Sequence, residues 1–151
     1  DQGIEASIFL SVLSVKPNSI LDFNMRVKAV KEFKQLPQAA DLASAYKRIS
    51  NIISKAETVN TQVKPELFQE EAERVLMNHV DMLSGKITDF YNKGNYKSAL
   101  STLAELKDDV DNFFEKVMVN AEDLNIKNNR LAILFSLSKL MSNTADISVL
   151  Y

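Results

Sequence analysis

Apolar residues recur along this chain at the three- and four-residue spacing of an α-helix. The clearest case lies between residues 37 and 56, where the apolar stripe consists of Ala39, Leu42, Ala43, Tyr46, Ile49 and Ile53. Such a stripe packs against a core while the opposite side meets solvent. The pattern therefore predicts a helix whose polar side carries Lys47, Arg48, Asn51 and Lys55.

The same reasoning predicts six further helices, over about 4–15, 20–36, 65–93, 96–106, 108–119 and 126–143. Ser19, Asn95 and Asp123 are suitable N-caps for three of them, and Pro65 suits a helix start. The last helix is apolar almost all round, which indicates a central, buried position. A tail over 145–150 has enough apolar residues to dock back. Short connections favour antiparallel neighbours, so the fold class is an all-α antiparallel helical bundle.

Composition narrows the chemistry that this chain can perform. A length of 151 residues fits one domain with a hydrophobic core, and the first residue, Asp1, indicates a fragment of a longer protein. There is no cysteine, a single histidine (His79), and no Gly-rich phosphate loop or nucleophile elbow. Asp108, Asp109 and Asp111 lack the spacing of a calcium loop and fit a helix start better. We expect no catalytic centre, no metal site and no cofactor in this chain.

Charge is distributed unevenly although the net charge is only −2. Residues 26–55 contain seven basic and two acidic residues, a net charge of +5. Residues 65–151 contain nine basic and fourteen acidic residues, a net charge of −5. A local basic zone matters more for binding phosphates than the total charge does. The zone is equally compatible with a solvated polar face on two neighbouring helices, with Arg26, Lys28, Lys31 and Lys34 pointing mostly outward from the first of them.

Three separated motifs resemble a known family. Phe113-Phe114-x-x-Val117-Met118-Val119 leads to Glu122-Asp123, then to Asn129-Arg130-Leu131, and ends at Ala145-Asp146-Ile147-Ser148. Tyr46-Lys47-Arg48-Ile49-Ser50-Asn51-Ile52 lies upstream, and Asn95-Tyr96-x-x-Ala99-Leu100 lies between them. From about residue 22 to its end the chain resembles the C-terminal region of bacterial glycyl-tRNA synthetase β subunits. In the resemblance, Leu124-Asn125-Ile126-Lys127 occupies the Asp-Ala-Leu-Arg (DALR) signature, where Lys127 keeps the charge but not the planar guanidinium.

The resemblance implies that residues 1–151 form a single DALR-type anticodon-binding domain from the C-terminal end of a larger β subunit. It implies tRNA-Gly, bound through its anticodon loop, as the nucleic-acid partner. It further implies a cytoplasmic heterotetramer with the α subunit, which performs the aminoacylation with ATP and magnesium. No membrane partner is expected, since no apolar run is long enough to span one.

Residue roles follow from what an anticodon loop offers, namely phosphates and unstacked bases. The candidate phosphate contacts are Lys47, Arg48, Lys55, Lys127 and Arg130, and the candidate base-reading amides are Asn51, Asn128 and Asn129. Two of these residues have a structural alternative: Arg130 pairs with a carboxylate such as Glu122 or Asp123, and Asn129 hydrogen-bonds a turn.

A second hypothesis is a helical protein–protein assembly module without RNA contact. It predicts that the basic residues of 26–55 are dispersed in space and that an apolar patch is exposed. The RNA-binding hypothesis predicts that the Lys47 face and the helix start at 127–130 share one solvent-open surface.

Overall fold

The computed structural model describes residues 4–151, and this part of the chain contains helices and no strand. The seven α-helices are α1 (Ala6–Leu13), α2 (Ile20–Lys34), α3 (Ala39–Ser54), α4 (Glu71–Asn92), α5 (Tyr96–Ala104), α6 (Lys107–Lys116) and α7 (Leu124–Met141). Two short 3₁₀ turns cover Pro65–Leu67 and Ile147–Val149. The predicted all-α fold class is confirmed.

Side-chain caps define several helix ends as the sequence predicts. The Ser19 hydroxyl accepts the backbone N–H of Asp22 at 3.0 Å and begins α2. The Asp123 carboxylate accepts the N–H of Asn125 at 2.9 Å and begins α7. Gly94 follows α4 with φ +73°, a left-handed conformation that glycine adopts without steric cost. These caps satisfy N–H and C=O groups that have no partner inside the helix.

The helix predicted from Pro65 begins later than expected. Pro65 opens only a single 3₁₀ turn, and α4 begins at Glu71. The reason is the carboxylate of Glu73, which accepts the backbone N–H groups of Gln69 at 2.9 Å and Glu70 at 2.8 Å. These two donors point at a buried side chain rather than along a helix, so the regular helix starts after them.

Helix α7 lies at the centre of the bundle, as its all-round apolar pattern predicts. Four consecutive residues, Leu131–Leu134, are buried. Helix α7 packs against α3 and α4, and its side chains belong to one continuous core to which α1–α6 also contribute. Because α7 is buried on every side at Leu131–Leu134, the preceding turn is held in a fixed position relative to α3 and to the segment before it.

The C-terminal tail docks onto α1 and α3, which confirms the predicted docking. Ala145, Ile147 and Leu150 are buried in the core. The backbone N–H of Asp146 donates to the carbonyl of Ser11 at 2.8 Å. This hydrogen bond links the tail, which follows α7, to α1.

Arg26 corrects the expectation that the cations of α2 point outward, because it is only 6% exposed. Its guanidinium donates to the carbonyls of Asn143 at 2.8 Å and Thr144 at 2.9 Å, and to the Asp22 carboxylate at 2.9 Å. It also lies over the ring of Tyr96, 4.5 Å from the centroid. The side chain therefore fastens the tail to α2.

Tyr96 completes this buried polar cluster by donating its hydroxyl to Asp22. Burial and the hydrogen bond to Asp22 raise the pKa of Tyr96 to about 12. Burial also acts to raise the pKa of Asp22, but the hydrogen bonds from Tyr96 and Arg26 outweigh it and leave the pKa lowered. The cluster is thus a charged pair with an un-ionised tyrosine hydroxyl.

Candidate functional site

The polar side of α3 is fully open to solvent. Lys47, Arg48, Asn51 and Lys55 are all exposed, whereas Ile49 and the rest of the inner stripe pack into the core. The four exposed residues, which we call the α3 cationic face, line a shallow groove of about 310 Å³. The sequence-predicted juxtaposition of three cations and one amide is therefore present on one surface.

The cations of this face have no acidic partner within the described part of the chain. Lys47, Arg48 and Lys55 form no ion pair with any residue of 4–151. The Arg48 guanidinium lies over the Phe114 ring, 4.2 Å from its centroid. Stacking on an aromatic ring fixes a guanidinium while leaving its charge uncompensated. Beyond Arg48 the adjacent groove contains Asp41, Asp111 and Glu115. Lysine side chains pair with all three carboxylates, Lys107 with Asp41 and Asp111 and Lys116 with Glu115. The cations that have no acidic partner within residues 4–151 therefore lie on the side of α3 towards Lys55.

A second groove joins α3 to the start of α7. It measures about 490 Å³ and is lined by Arg48, Lys55 and Lys127 together with the segment Val117–Asn120. We call it the connector groove, because Val117–Asn120 connects α6 to α7. Lys127 is half-buried and, like Arg48 and Lys55, makes no ion pair with a residue of 4–151. The structure thus brings Lys127 to the α3 cationic face.

The neighbouring amides occupy different environments. Asn128 is half-buried and lies outside the linings of both grooves. Asn129 is 3% exposed; its Oδ1 accepts the backbone N–H of Lys64 at 2.7 Å, and its Nδ2 donates to the carbonyl of the same residue at 3.0 Å. This pairing holds the polar connector 57–64 against α7, much as the predicted structural alternative describes.

Arg130 is likewise inside the bundle, with an exposure of 6%. Its Nε and Nη2 donate to the two carboxylate oxygens of Glu73 at 3.1 and 3.4 Å, and its Nη1 donates to the carbonyl of Met118 at 2.6 Å. The predicted alternative, in which Arg130 pairs with a carboxylate, is confirmed, but the partner is Glu73 on α4 rather than Glu122 or Asp123. Through its bond to the Met118 carbonyl, the buried Arg130 side chain holds the segment Val117–Asn120 that forms one wall of the connector groove.

The other basic residues of 26–55 do not join this surface. Arg26 is buried against the tail, and Lys34 pairs with Glu5 at 2.5 Å. Lys28 and Lys31 are exposed on α2. The basic zone is therefore divided, with only its α3 part adjoining the start of α7.

An exposed apolar surface covers α1 and α2, as the assembly hypothesis predicts. Its most exposed members are Ile20 at 81% and Leu21 at 70%. The surface, which we call the α1–α2 apolar face, also includes Phe9, Leu10, Leu13 and Met25. Phe9, Leu10 and Ile20 line one groove of about 570 Å³, and contiguous exposed apolar residues of this kind mark contact sites. The assembly hypothesis thus has its exposed patch and, in part, its dispersed basic residues, while the RNA-binding hypothesis has its shared surface of α3 and the start of α7.

Other candidate chemistry resolves into structural contacts. His79 Nδ1 lies 2.5 Å from the Asp109 carboxylate and joins α4 to α6. Asp108 and Asp109 occupy the first turn of α6, as predicted. Within residues 4–151 no group of three His, Cys, Asp or Glu side chains is arranged to hold a metal ion. None of the helices described is long and apolar enough to cross a membrane.

The sequence does not mark the wall residues of the connector groove as site residues. Its pattern predicts that Met118 and Val119 end a helix and that Asn120 begins a polar connector. Helix α6 in fact ends at Lys116, and Val117 is extended with φ −115° and ψ 124°. The polar residues that follow cannot continue an apolar helix face, so they indicate that the helix ends nearby. They do not indicate which surface the segment borders.

Comparison with known proteins places these features in a family context. Residues 42–148 match the model of the DALR anticodon binding domain. The chain is 44% identical to the glycine–tRNA ligase β subunit of Shewanella woodyi and 46% identical to that of Aeromonas salmonicida. It is 44% identical to the same subunit of Pseudomonas fluorescens. Each similarity covers 99% of this chain and 22% of the relative, so the chain spans about a fifth of the length of these proteins.

Proposed function

The chain belongs to the family of DALR anticodon binding domains, and from that membership we propose that it recognises the anticodon loop of tRNA-Gly for a glycine–tRNA ligase. The observation that carries the proposal is the adjacency of Lys47, Arg48 and Lys55 to Lys127 on one solvent-open surface. Phosphates of a loop attract unpaired cations, and these contacts supply most of the affinity.

The residues divide into two roles in this proposal. Lys47, Arg48, Lys55 and Lys127 contact phosphates of the loop. Asn51 is exposed between two of these cations and reads a base edge, since its amide offers both a donor and an acceptor. Asn129 and Arg130 take part indirectly, because their side-chain contacts are intramolecular.

The enzyme-level role follows from the relatives. A ligase that joins glycine to tRNA needs ATP and magnesium, and we propose that the α subunit supplies that chemistry in a heterotetramer. The present chain then contributes binding alone, in the cytoplasm where tRNA is charged. Support for a binding role comes from the α3 cationic face, whose three cations have no acidic partner within residues 4–151.

Titration of labelled tRNA-Gly with this chain tests the proposal. Fluorescence anisotropy is measured at low and moderate salt, beside a tRNA copy with altered anticodon bases. The test variant is Lys47→Glu/Arg48→Glu. The matched control is Lys28→Glu/Lys31→Glu, which introduces the same charge change at two exposed lysines on α2.

The expected result is tighter binding of the native anticodon, lost in the α3 variant and kept in the α2 control. Equal effects of the two variants would indicate non-specific attraction and contradict recognition by the α3 cationic face. Absence of binding by the unchanged chain at low salt would also contradict it.

A second role, subunit assembly, is favoured by the α1–α2 apolar face. We infer that this face packs on the remainder of the β-type polypeptide. Support comes from the comparisons: α1 and α2 precede the family-model match, yet the similarity to β subunits covers 99% of the chain. The relatives are thus similar here beyond the anticodon-binding domain itself.

Ile20→Gln/Leu21→Gln in a full-length β-type subunit tests this inference. Both side chains are more than two-thirds exposed, and glutamine adds no charge to the first turn of α2, so we expect the isolated chain to keep its stability. In the full-length subunit we expect a separate, earlier unfolding transition by calorimetry. An unchanged calorimetric profile would refute the contact.

A further inference from the structure

The connector groove combines an apolar floor with a cationic rim. Its floor is formed by Ile52, Ala56, Val117 and Leu131. Arg48 and Lys55 stand on the α3 side of the rim, and Lys127 stands on the α7 side. A volume of about 490 Å³ falls within the roughly 300–1,000 Å³ that is typical of small-molecule sites. The groove is thus large enough for a defined chemical group and not only for solvent.

The wall of the groove is held in place before any ligand arrives. Arg130 donates to the carbonyl of Met118, and the N–H of Ala121 donates to the carbonyl of Val119 at 2.9 Å. These bonds fix the backbone, while the Met118 side chain remains 73% exposed at the mouth. A preformed wall lowers the entropy cost of binding, because the protein does not have to order a loop.

The combination of surfaces matches a base in a single strand of nucleic acid. A nucleobase has two apolar faces, a polar edge, and a phosphate on either side along the strand. Apolar side chains receive the faces, and cations on opposite sides receive the flanking phosphates. Asn120 is exposed at the lining and carries both a donor and an acceptor for the polar edge.

We propose that the connector groove receives one unstacked nucleobase of the bound RNA. The proposal rests on the anticodon-binding function given above and deepens it, because it adds a base-binding site to a phosphate-binding surface. Selectivity among anticodons then depends on the groove, whereas overall affinity depends on the α3 cationic face.

Fluorescence of 2-aminopurine tests the proposal with the whole 151-residue chain. The analogue replaces each anticodon base of tRNA-Gly in turn, and its emission rises when the base leaves the stack. One variant, Ala56→Phe, fills the floor of the groove. A second, Met118→Glu, places a carboxylate at the mouth on a side chain that is already exposed. The control, Ala40→Phe, introduces the same ring at an exposed alanine of α3 outside the groove.

With the unchanged chain and the control, we expect emission to rise at one anticodon position. Ala56→Phe and Met118→Glu are expected to abolish that rise and to reduce the preference for the native anticodon at least fivefold. Ala56→Phe is expected to change the affinity for the altered-anticodon tRNA less than threefold. Thermal unfolding confirms that each variant is folded.

The outcomes separate this inference from the function on which it rests. If Lys47→Glu/Arg48→Glu abolishes binding but both groove variants keep the emission rise, the unstacked base does not enter the groove. The inference is then overturned while the proposed function stands. If the unchanged chain does not bind tRNA-Gly at low salt, both are overturned.

Discussion

Replacing Arg130 by methionine tests whether the buried ion pair holds the bundle together at the start of α7. Methionine keeps an unbranched apolar stem but removes the charge and all the donors. The change leaves the Glu73 carboxylate, which is 0% exposed, with only two backbone N–H partners. It also leaves the carbonyl of Met118 without its donor.

The expected cost is large because one charge stays buried without its partner. Removal of one member of a buried pair typically costs about 3–5 kcal/mol. A domain of this size has a total stability of about 5–15 kcal/mol, so the loss amounts to about a fifth of it or more. At about 2–4 °C per kcal/mol, the unfolding midpoint falls by roughly 6–20 °C.

Urea unfolding followed by circular dichroism measures this cost, and Arg74→Met is the matched control. Arg74 is half-exposed on the same helix as Glu73, and its contact with Glu71 is 3.9 Å long, so we expect a change within about 0.5 kcal/mol. The double variant Arg130→Met/Glu73→Gln removes the stranded charge while its amide oxygen still accepts the two N–H groups. It is expected to be more stable than Arg130→Met by about 1 kcal/mol or more.

The reasoning fails if Arg130→Met costs no more than the control, or if the double variant is less stable than the single one. In the first case the pair contributes nothing beyond its packing. In the second case the negative charge of Glu73 itself stabilises the start of α4.

Three further predictions follow from other contacts. The pKa of Tyr96 is raised to about 12 from 10.0, so the stabilisation by its un-ionised hydroxyl is complete below pH 10 and is lost as the pH rises through about 12. We expect the free energy of unfolding to fall by roughly 2–3 kcal/mol over this range. Urea unfolding measures this decline, and Tyr96→Phe should lack it. Asp123→Ala removes the cap of α7 and is expected to cost about 1 kcal/mol in the same assay, and a loss below a few tenths would show that the core alone fixes this helix end. Lys127→Gln is expected to reduce the magnitude of the slope of log affinity for tRNA against log salt by about 0.7. The control Lys86→Gln, at an exposed lysine outside both grooves, should leave the slope unchanged. Equal slopes for the two variants would exclude a phosphate contact at Lys127.

Local periodicity was sufficient to predict the fold class and most helix positions. The stripe of α3 and the all-round apolar pattern of α7 determine which sides are buried, because burial is the main driving force for helices of this length. The polar side of α3 followed as the complement of its stripe. The predicted cluster of Lys47, Arg48 and Lys55 is therefore a direct consequence of helical geometry.

Long-range partners could not be predicted in the same way. Arg26 resembles any exposed helix cation until the carbonyls of Asn143 and Thr144 approach it across the fold. Arg130 lies 57 residues from Glu73, so no spacing rule connects them. The late start of α4 has the same origin, because one buried carboxylate withdraws N–H donors from the expected helix.

The bond between Arg26 and the Thr144 carbonyl also has a consequence for how the protein is made. The two residues are 118 positions apart, so the acceptor carbonyl of Thr144 is synthesised long after Arg26 of α2. At about 5–20 residues per second, the wait lasts roughly 6–24 s. During that time Ser11 of α1 and Arg26 of α2 lack the backbone partners that the tail provides in the folded structure. The first two helices therefore reach their final contacts only after the tail has been synthesised.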